Sequence, residues 1–85
     1  MRVVIISKDA TDYARSVEEW LREFQRRTGR ELEVLNPDSP AGISFCTTYD
    51  IVEYPSVIAL TDDGVMQQLW AGTQLPTISE VSYYG

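Results

Sequence analysis

Residues Tyr49 to Gly72 read YDIVEYPSVIALTDDGVMQQLWAG. Pro55 stands directly before an apolar run, Ser56-Val57-Ile58-Ala59-Leu60. Proline is accepted at the first position of a strand, where its missing N–H need not join the ladder. Thr61-Asp62-Asp63-Gly64 then interrupts the run, and a second strand is expected from Val65 to Trp70, closed by Gly72. An Asp-Gly pair between two apolar segments marks a hairpin, because glycine reaches the positive φ of a tight turn without steric penalty.

The chain ahead of this hairpin alternates strand and helix. Arg2-Val3-Val4-Ile5-Ile6-Ser7 is a continuous β-branched run, as expected of a strand buried on both faces. Lys8 to Asp12 is a polar connector in which Asp9, Thr11 and Asp12 are all candidate helix caps. Tyr13 to Thr28 reads as an amphipathic helix with Tyr13, Val17, Trp20, Leu21 and Phe24 on one stripe, stopped by Gly29. Glu18–Arg22, Glu19–Arg22 and Glu23–Arg27 have the spacing of exposed ion pairs, and acidic residues lead while arginines trail, which suits the helix dipole. Glu31 to Leu35 reads as a shorter strand ended by Asn36-Pro37, and a helix between two such strands implies parallel pairing through a right-handed crossover. Asp38 or Ser39 caps a second helix with Pro40 in its first turn, running to about Tyr49 and short or irregular because of Gly42, Thr47 and Thr48. Thr77 and Glu80 form a capping box for a final helix resting Ile78, Val81 and Tyr84 on the sheet. The order β-α-β-α-β-β-α predicts an α/β fold with a four-stranded mixed sheet flanked by helices, and 1–85 is expected to be a single domain.

Composition narrows the functional classes. With 44% hydrophobic residues, the 85-residue chain can fold around a small core. Thirteen acidic against seven basic residues leave a net charge of −6, which argues against nucleic acid or an anionic membrane as partner. Five of the seven cations lie between Arg15 and Arg30, and none follows Asn36, so the remainder is acidic and suited at most to steering a cationic partner. No apolar run reaches the ~18 residues of a membrane span, and the N-terminus lacks the ~7–15-residue apolar region of a signal peptide. A cytoplasmic location is the expectation. One cysteine, Cys46, allows no Cys-x-x-Cys motif and no internal disulfide, and the chain has no histidine to serve as base or metal ligand.

The stretch from Tyr49 to Gly72, with Tyr49, Ile51, Val52, Pro55, Val57, Ile58, Leu60, Gly64 and Gly72 in place, resembles the C-terminal half of the thioredoxin-like fold. The early first strand is similar to the compact glutaredoxin form. The resemblance implies a thioredoxin/glutaredoxin-like architecture and a cis peptide bond between Tyr54 and Pro55. It also implies a redox site at the start of the first helix, where the family carries Cys-x-x-Cys and the helix N-terminus lowers a thiol's pKa. Here Lys8-Asp9-Ala10-Thr11-Asp12-Tyr13-Ala14 offers no thiol in either register. Threonine is not appreciably ionised near neutral pH and has no histidine to activate it. Thr11 is therefore read as a helix cap.

What the resemblance leaves is a groove rimmed by Lys8, Thr11, Asp12, Tyr13, Tyr54, Pro55 and Thr73. In the family, an extended peptide pairs there with the backbone beside the cis-proline. The leading expectation is thus a redox-inactive module for a protein or peptide partner, without catalytic residues, metal or cofactor. The alternative is a glutathione-binding or thiol-dependent oxidoreductase-like protein using Cys46 or a partner's thiol. Glutaredoxins hold glutathione beside the cis-proline and through Gly-Gly-x-Asp-Asp after the last strand. Tyr54-Pro55 and Lys8 fit that pattern, whereas Thr73-Gln74-Leu75-Pro76-Thr77 departs from it. Cys46 has no basic neighbour in sequence and reads as a small buried hydrophobe. Asp62-Asp63 read as turn formers, and no acidic pair has metal-ligand spacing. An assembly role, with Trp70, Tyr83 and Tyr84 exposed on a homodimer surface, is a further expectation.

Overall fold

A computed structural model describes residues 2–9, 11–72 and 75–84. Its elements are β1 (Arg2–Ile6), α1 (Ala14–Thr28), β2 (Glu33–Leu35), α2 (Pro40–Tyr49), β3 (Ser56–Leu60), β4 (Met66–Ala71) and α3 (Ile78–Tyr84). The sheet runs β2-β1-β3-β4, with β1 parallel to β2 and antiparallel to β3, and β3 antiparallel to β4. The expected order and mixed sheet are both present.

The continuous apolar runs of β1 and β3 follow from their central place. Alternate side chains go to opposite faces, so a strand covered on both sides is apolar on both; Arg2 is exposed at the start of β1, and the buried Ser56 of β3 satisfies its hydroxyl by donating to the Glu53 carbonyl. Val3 and Ile5 of β1 with Val57 and Ala59 of β3 meet Val17 and Phe24 of α1 and Val81 of α3 on one face. Val4, Ile6, Ile58 and Leu60 meet Phe45 and Cys46 of α2 and Ile51 on the other. All five residues of β3 are buried. Trp20 joins α1 to the approach of α3, its indole N–H donating to the Pro76 carbonyl at 2.8 Å while its ring stacks on Phe24.

Several local expectations hold. Gly29 ends α1 at φ 73°, and Ser39 caps α2, accepting from the Gly42 N–H at 3.0 Å with Pro40 in the first turn. The hairpin turn closes through Gly64, whose N–H donates to the Thr61 carbonyl at 2.9 Å at φ 86°. The capping box forms as well, with the Glu80 N–H donating to the Thr77 hydroxyl and the Thr77 N–H to the Glu80 carboxylate.

Other expectations are corrected. α2 is a regular ten-residue helix, because its glycine serves packing and does not break it. A Cβ on Gly42 would lie 1.8 Å from the Asn36 carbonyl oxygen, so the helix can seat against the Asn36–Pro37 backbone only without a side chain there. Asp50, in the left-handed region at φ 57°, ends that helix where a glycine would be the usual choice. β2 begins at Glu33 and not at Glu31, and β4 is shifted one residue later than Val65–Trp70, with an irregularity in its pairing beside Ala59/Leu60. On α1 the expected Glu23–Arg27 pair forms, with Arg26 added to it, whereas Glu19 pairs with Arg15 and not with Arg22. No acidic residue stands in its first turn; the trailing arginines are where the helix dipole favours them. Among the described residues no helix is long and apolar enough to cross a membrane.

Candidate functional site

Strand register assembles the site. Ile6 of β1 pairs with Ser56 of β3, so the segment leaving β1 lies beside the segment entering β3. The first carries Ser7 and Lys8; the second carries Tyr54 and Pro55. Ser56 also pairs with Ala71, and the Gly72 N–H donates to the Pro55 carbonyl at 2.9 Å, which brings the end of β4 to the same place. The Tyr54–Pro55 peptide bond is cis.

Lys8 is the hub. Its backbone N–H donates to the Tyr13 hydroxyl oxygen at 3.2 Å, and its carbonyl accepts from the Thr11 hydroxyl at 3.2 Å. Its ammonium lies 5.4 Å from the centre of the Tyr54 ring and 4.0 Å from an Asp38 carboxylate oxygen. A cation over an aromatic face is held by the ring quadrupole. Lys8, Thr11, Tyr13, Tyr54 and Pro55 are therefore brought together, with Asp12 exposed next to Tyr13. Thr73 lies outside the described residues, as do Ala10 and Gln74.

The expected cap is corrected here. The Thr11 hydroxyl donates back to the Lys8 carbonyl, and the Thr11 backbone carbonyl accepts from the Ala14 N–H. Tyr13 occupies the cap position of α1, and among the described residues it makes no side-chain cap hydrogen bond there. Asp9 is not a cap either; its carboxylate accepts from the Asn36 side-chain amide at 3.3 Å.

Tyr54 and Tyr13 each do two jobs. Tyr54 packs beside the α2-side core and Tyr13 beside the α1-side core, both only partly buried. Burial, then the Cys46 side chain, and more weakly Asp38 and Tyr13, hold the Tyr54 phenol above its ordinary pKa. Among the described residues, neither the N–H nor the C=O of Tyr54 has a backbone hydrogen-bond partner. The adjoining backbone is occupied: the Glu53 carbonyl accepts from the buried Ser56 hydroxyl at 2.5 Å, and the Pro55 carbonyl is taken by Gly72.

Cys46, which in the sequence reads only as a small buried hydrophobe, is put by the fold against Tyr54. It is a free cysteine, 9% exposed, among Val4, Ile6, Phe45 and Ile58. An open depression of about 400 Å³ lies beside it, lined by Pro37, Ile43, Thr47, Ile51, Val52 and Tyr54, among others. Ile43 and Val52 are 54% and 77% exposed. Asp38, which engages Lys8, was equally invisible as a site neighbour because its only sequence signal was that of a helix cap. Among the described residues no three His, Cys, Asp or Glu side chains come together as a metal site.

The supposed dimer surface is only partly exposed. Trp70 and Tyr84 are half-buried and meet edge to face at 5.6 Å, and Tyr83 alone of the three is strongly exposed, at 85%.

The strand order, the helix placement and the cis-proline at the mouth of β3 invite comparison with solved proteins. The chain is similar in structure to thioredoxin 1 from the thermophilic eubacterium Thermosipho africanus TCF52B, with a TM-score of 0.68 over 99% of this chain and 89% of that one. The fold is thioredoxin-like. Sequence identity to that thioredoxin is 17%, so the likeness is one of fold. No protein-family profile matches the chain, and no curated protein matches it in sequence.

Proposed function

We propose that this thioredoxin-like domain is a redox-inactive binding module that takes an extended peptide segment of another protein along the Tyr54 backbone. The observation that carries the reading is the free N–H and C=O of Tyr54 among the described residues. An incoming strand gains affinity from such main-chain groups and specificity from the side chains flanking them. The flanking side chains are Lys8, Tyr13 and Tyr54, which offer a cation and two aromatic rings with little freedom left to lose. Asp12, Asp38 and Glu53 border the same segment, which favours a peptide carrying basic residues.

The absence of thiol chemistry rests on the residues at hand. Thr11, Asp12 and Tyr13 lead into α1, and the one sulfhydryl of the chain is buried on the sheet-facing side of α2. A buried thiol without a cationic neighbour behaves as a small hydrophobe.

The test is selection of peptides from a displayed library, followed by fluorescence anisotropy on the best sequence. Tyr54→Ala and Lys8→Ala are each expected to weaken binding about ten-fold or more, the range in which interface anchors act. Circular dichroism verifies that each variant is folded, and Tyr54→Phe separates loss of the ring from loss of the hydroxyl. Binding unchanged in the folded Tyr54→Ala and Lys8→Ala variants would sink the reading.

A further inference from the structure

The last helix lays two adjacent rings beside the outer strand. Gln68 and Trp70 of β4 lie opposite Ala59 and Val57, on the face that α1 and α3 cover. α3 anchors on that face through the fully buried Val81, with Ile78 and Tyr84 packed against the same core. Tyr84 meets Trp70 at 5.6 Å and Tyr83 at 5.2 Å, both edge to face, with the ring planes 74° and 82° apart. These rings, with Gln68 and Glu80, line an open hollow of about 300 Å³, at the small end for ligand sites. Packing accounts for Trp70 and Tyr84 but not for Tyr83, which is 85% exposed, belongs to neither core and touches the Tyr84 ring. Glu80 brings a charge to the same place. Its carboxylate accepts from the Thr77 N–H at 3.2 Å and from the Thr77 hydroxyl at 2.9 Å, which fixes its position. Those bonds, with a smaller share from the Trp70 side chain, hold the carboxyl below its ordinary pKa, so it is ionised at neutral pH. No Lys or Arg follows Asn36 in the chain, and among the described residues none pairs with Glu80.

We propose that Trp70, Tyr83 and Tyr84, together with Glu80, form a binding site for a methylated ammonium group. The rings and the charge select a cation. An aromatic face attracts positive charge through its quadrupole, most strongly when the cation has shed its water. A carboxylate beside the rings adds to that attraction, repels anions and gives nothing to a neutral apolar group. Methylation decides among cations. A bare ammonium carries three N–H donors and a guanidinium five, and each loses hydration unless an acceptor meets it. Here the one charged acceptor is already engaged by Thr77, and the lining is otherwise aromatic ring and the Gln68 amide. A fully methylated nitrogen has no donor to satisfy and presents a charged but apolar surface to the rings. The same group occurs in a small quaternary amine and on a trimethylated lysine side chain.

The hollow shares no lining residue with the Tyr54 segment, so the inference does not depend on the peptide reading and its test has a separate readout. The whole isotope-labelled chain is titrated with choline chloride, against sodium chloride of equal ionic strength, and the Trp70 indole N–H is followed by nuclear magnetic resonance. A saturable shift is expected, with a dissociation constant in the millimolar range or below. The uncharged analogue of choline, with carbon in place of nitrogen, is expected to bind about ten-fold more weakly or less. Tyr83→Ala, at a position neither core uses, and Glu80→Gln, which keeps a side chain fit for the capping box, are each expected to weaken choline binding about three-fold or more. Circular dichroism verifies that both variants are folded. A trimethyllysine peptide and its unmethylated counterpart, read at the same indole signal, separate the sources. Tighter binding of the methylated peptide than of choline assigns the group to a protein side chain, and binding of choline as tight or tighter assigns it to a free small amine. A choline shift that never saturates overturns the inference. So does equal binding of the uncharged analogue or of the unmethylated peptide at this signal, or binding indifferent to both Tyr83→Ala and Glu80→Gln.

Discussion

Gly42 shows how one absent side chain fixes the seat of a whole helix. A Cβ there would lie 1.8 Å from the Asn36 carbonyl oxygen and 2.6 Å from its carbon, both backbone atoms that cannot swing aside. Gly42→Ala is expected to destabilise the fold by about 3 kcal/mol or more, at the upper end of overpacking effects, as read from the urea midpoint. An unchanged midpoint would mean that α2 shifts off Asn36 at little penalty. Sequence inspection read Gly42 as a weak point of the helix, since glycine lowers helix propensity and nothing local reveals a close approach. The Thr11 correction has a similar origin. Asp9, Thr11 and Asp12 are equivalent as candidate caps by residue type, yet Tyr13 stands at the cap position, the Thr11 hydroxyl turns back to the Lys8 carbonyl and Asp9 accepts from Asn36. Pro55 and Gly64, by contrast, were legible, because proline and glycine restrict or extend the backbone whatever surrounds them.

At the scale of elements, strands and helices were read better than the pairs between them. The apolar runs of β1 and β3 and the stripe of α1 are properties of one segment each. The choice of Arg15–Glu19 over Glu18–Arg22 is not, since several partners share the same helical spacing and exposed pairs differ little in energy. The contact of Cys46 with Tyr54 joins α2 to the mouth of β3, and no local pattern announces it. α3 supplies an element-scale test. Thr77 caps it, and the Thr77 N–H, then the Thr77 hydroxyl, hold the Glu80 carboxyl below its ordinary pKa. Glu33 is lowered by Arg2, and Glu23 by Arg26 and then Arg27. All three carboxyls have folded pKa values below their unfolded ones. Their contribution is thus present above the ordinary carboxylate range and is lost as pH falls through that range to the folded values. Melting temperature is expected to decline steadily below about pH 5. Thr77→Ala is expected to remove about 1 kcal/mol at neutral pH, as loss of a helix cap does, and to flatten that decline. An acid profile identical in Glu80→Gln and wild type would contradict the Glu80 assignment.

For the whole molecule, the sheet divides two small cores, one under α1 and α3 and one under α2. The segment proposed to bind lies where the chain passes between them, from β1 into Lys8 and from the α2 side into Tyr54-Pro55. That placement explains why both tyrosines are half-buried: each anchors in one core and presents its remaining surface at the junction. It also explains why the architecture was readable from the chain while the partner was not. Fold follows from patterning repeated over many residues, whereas the binding reading rests on one backbone unit without a partner among the described residues and three side chains gathered from distant segments. The most direct test is a nuclear magnetic resonance titration of isotope-labelled protein with the selected peptide, following backbone amides. The Tyr54 amide and the amides of Thr11 to Ala14 are expected to shift together and saturate, with the Tyr54 amide gaining protection from hydrogen exchange. Saturating binding that leaves the Tyr54 amide unmoved and unprotected would contradict the groove as the place where this protein holds its partner.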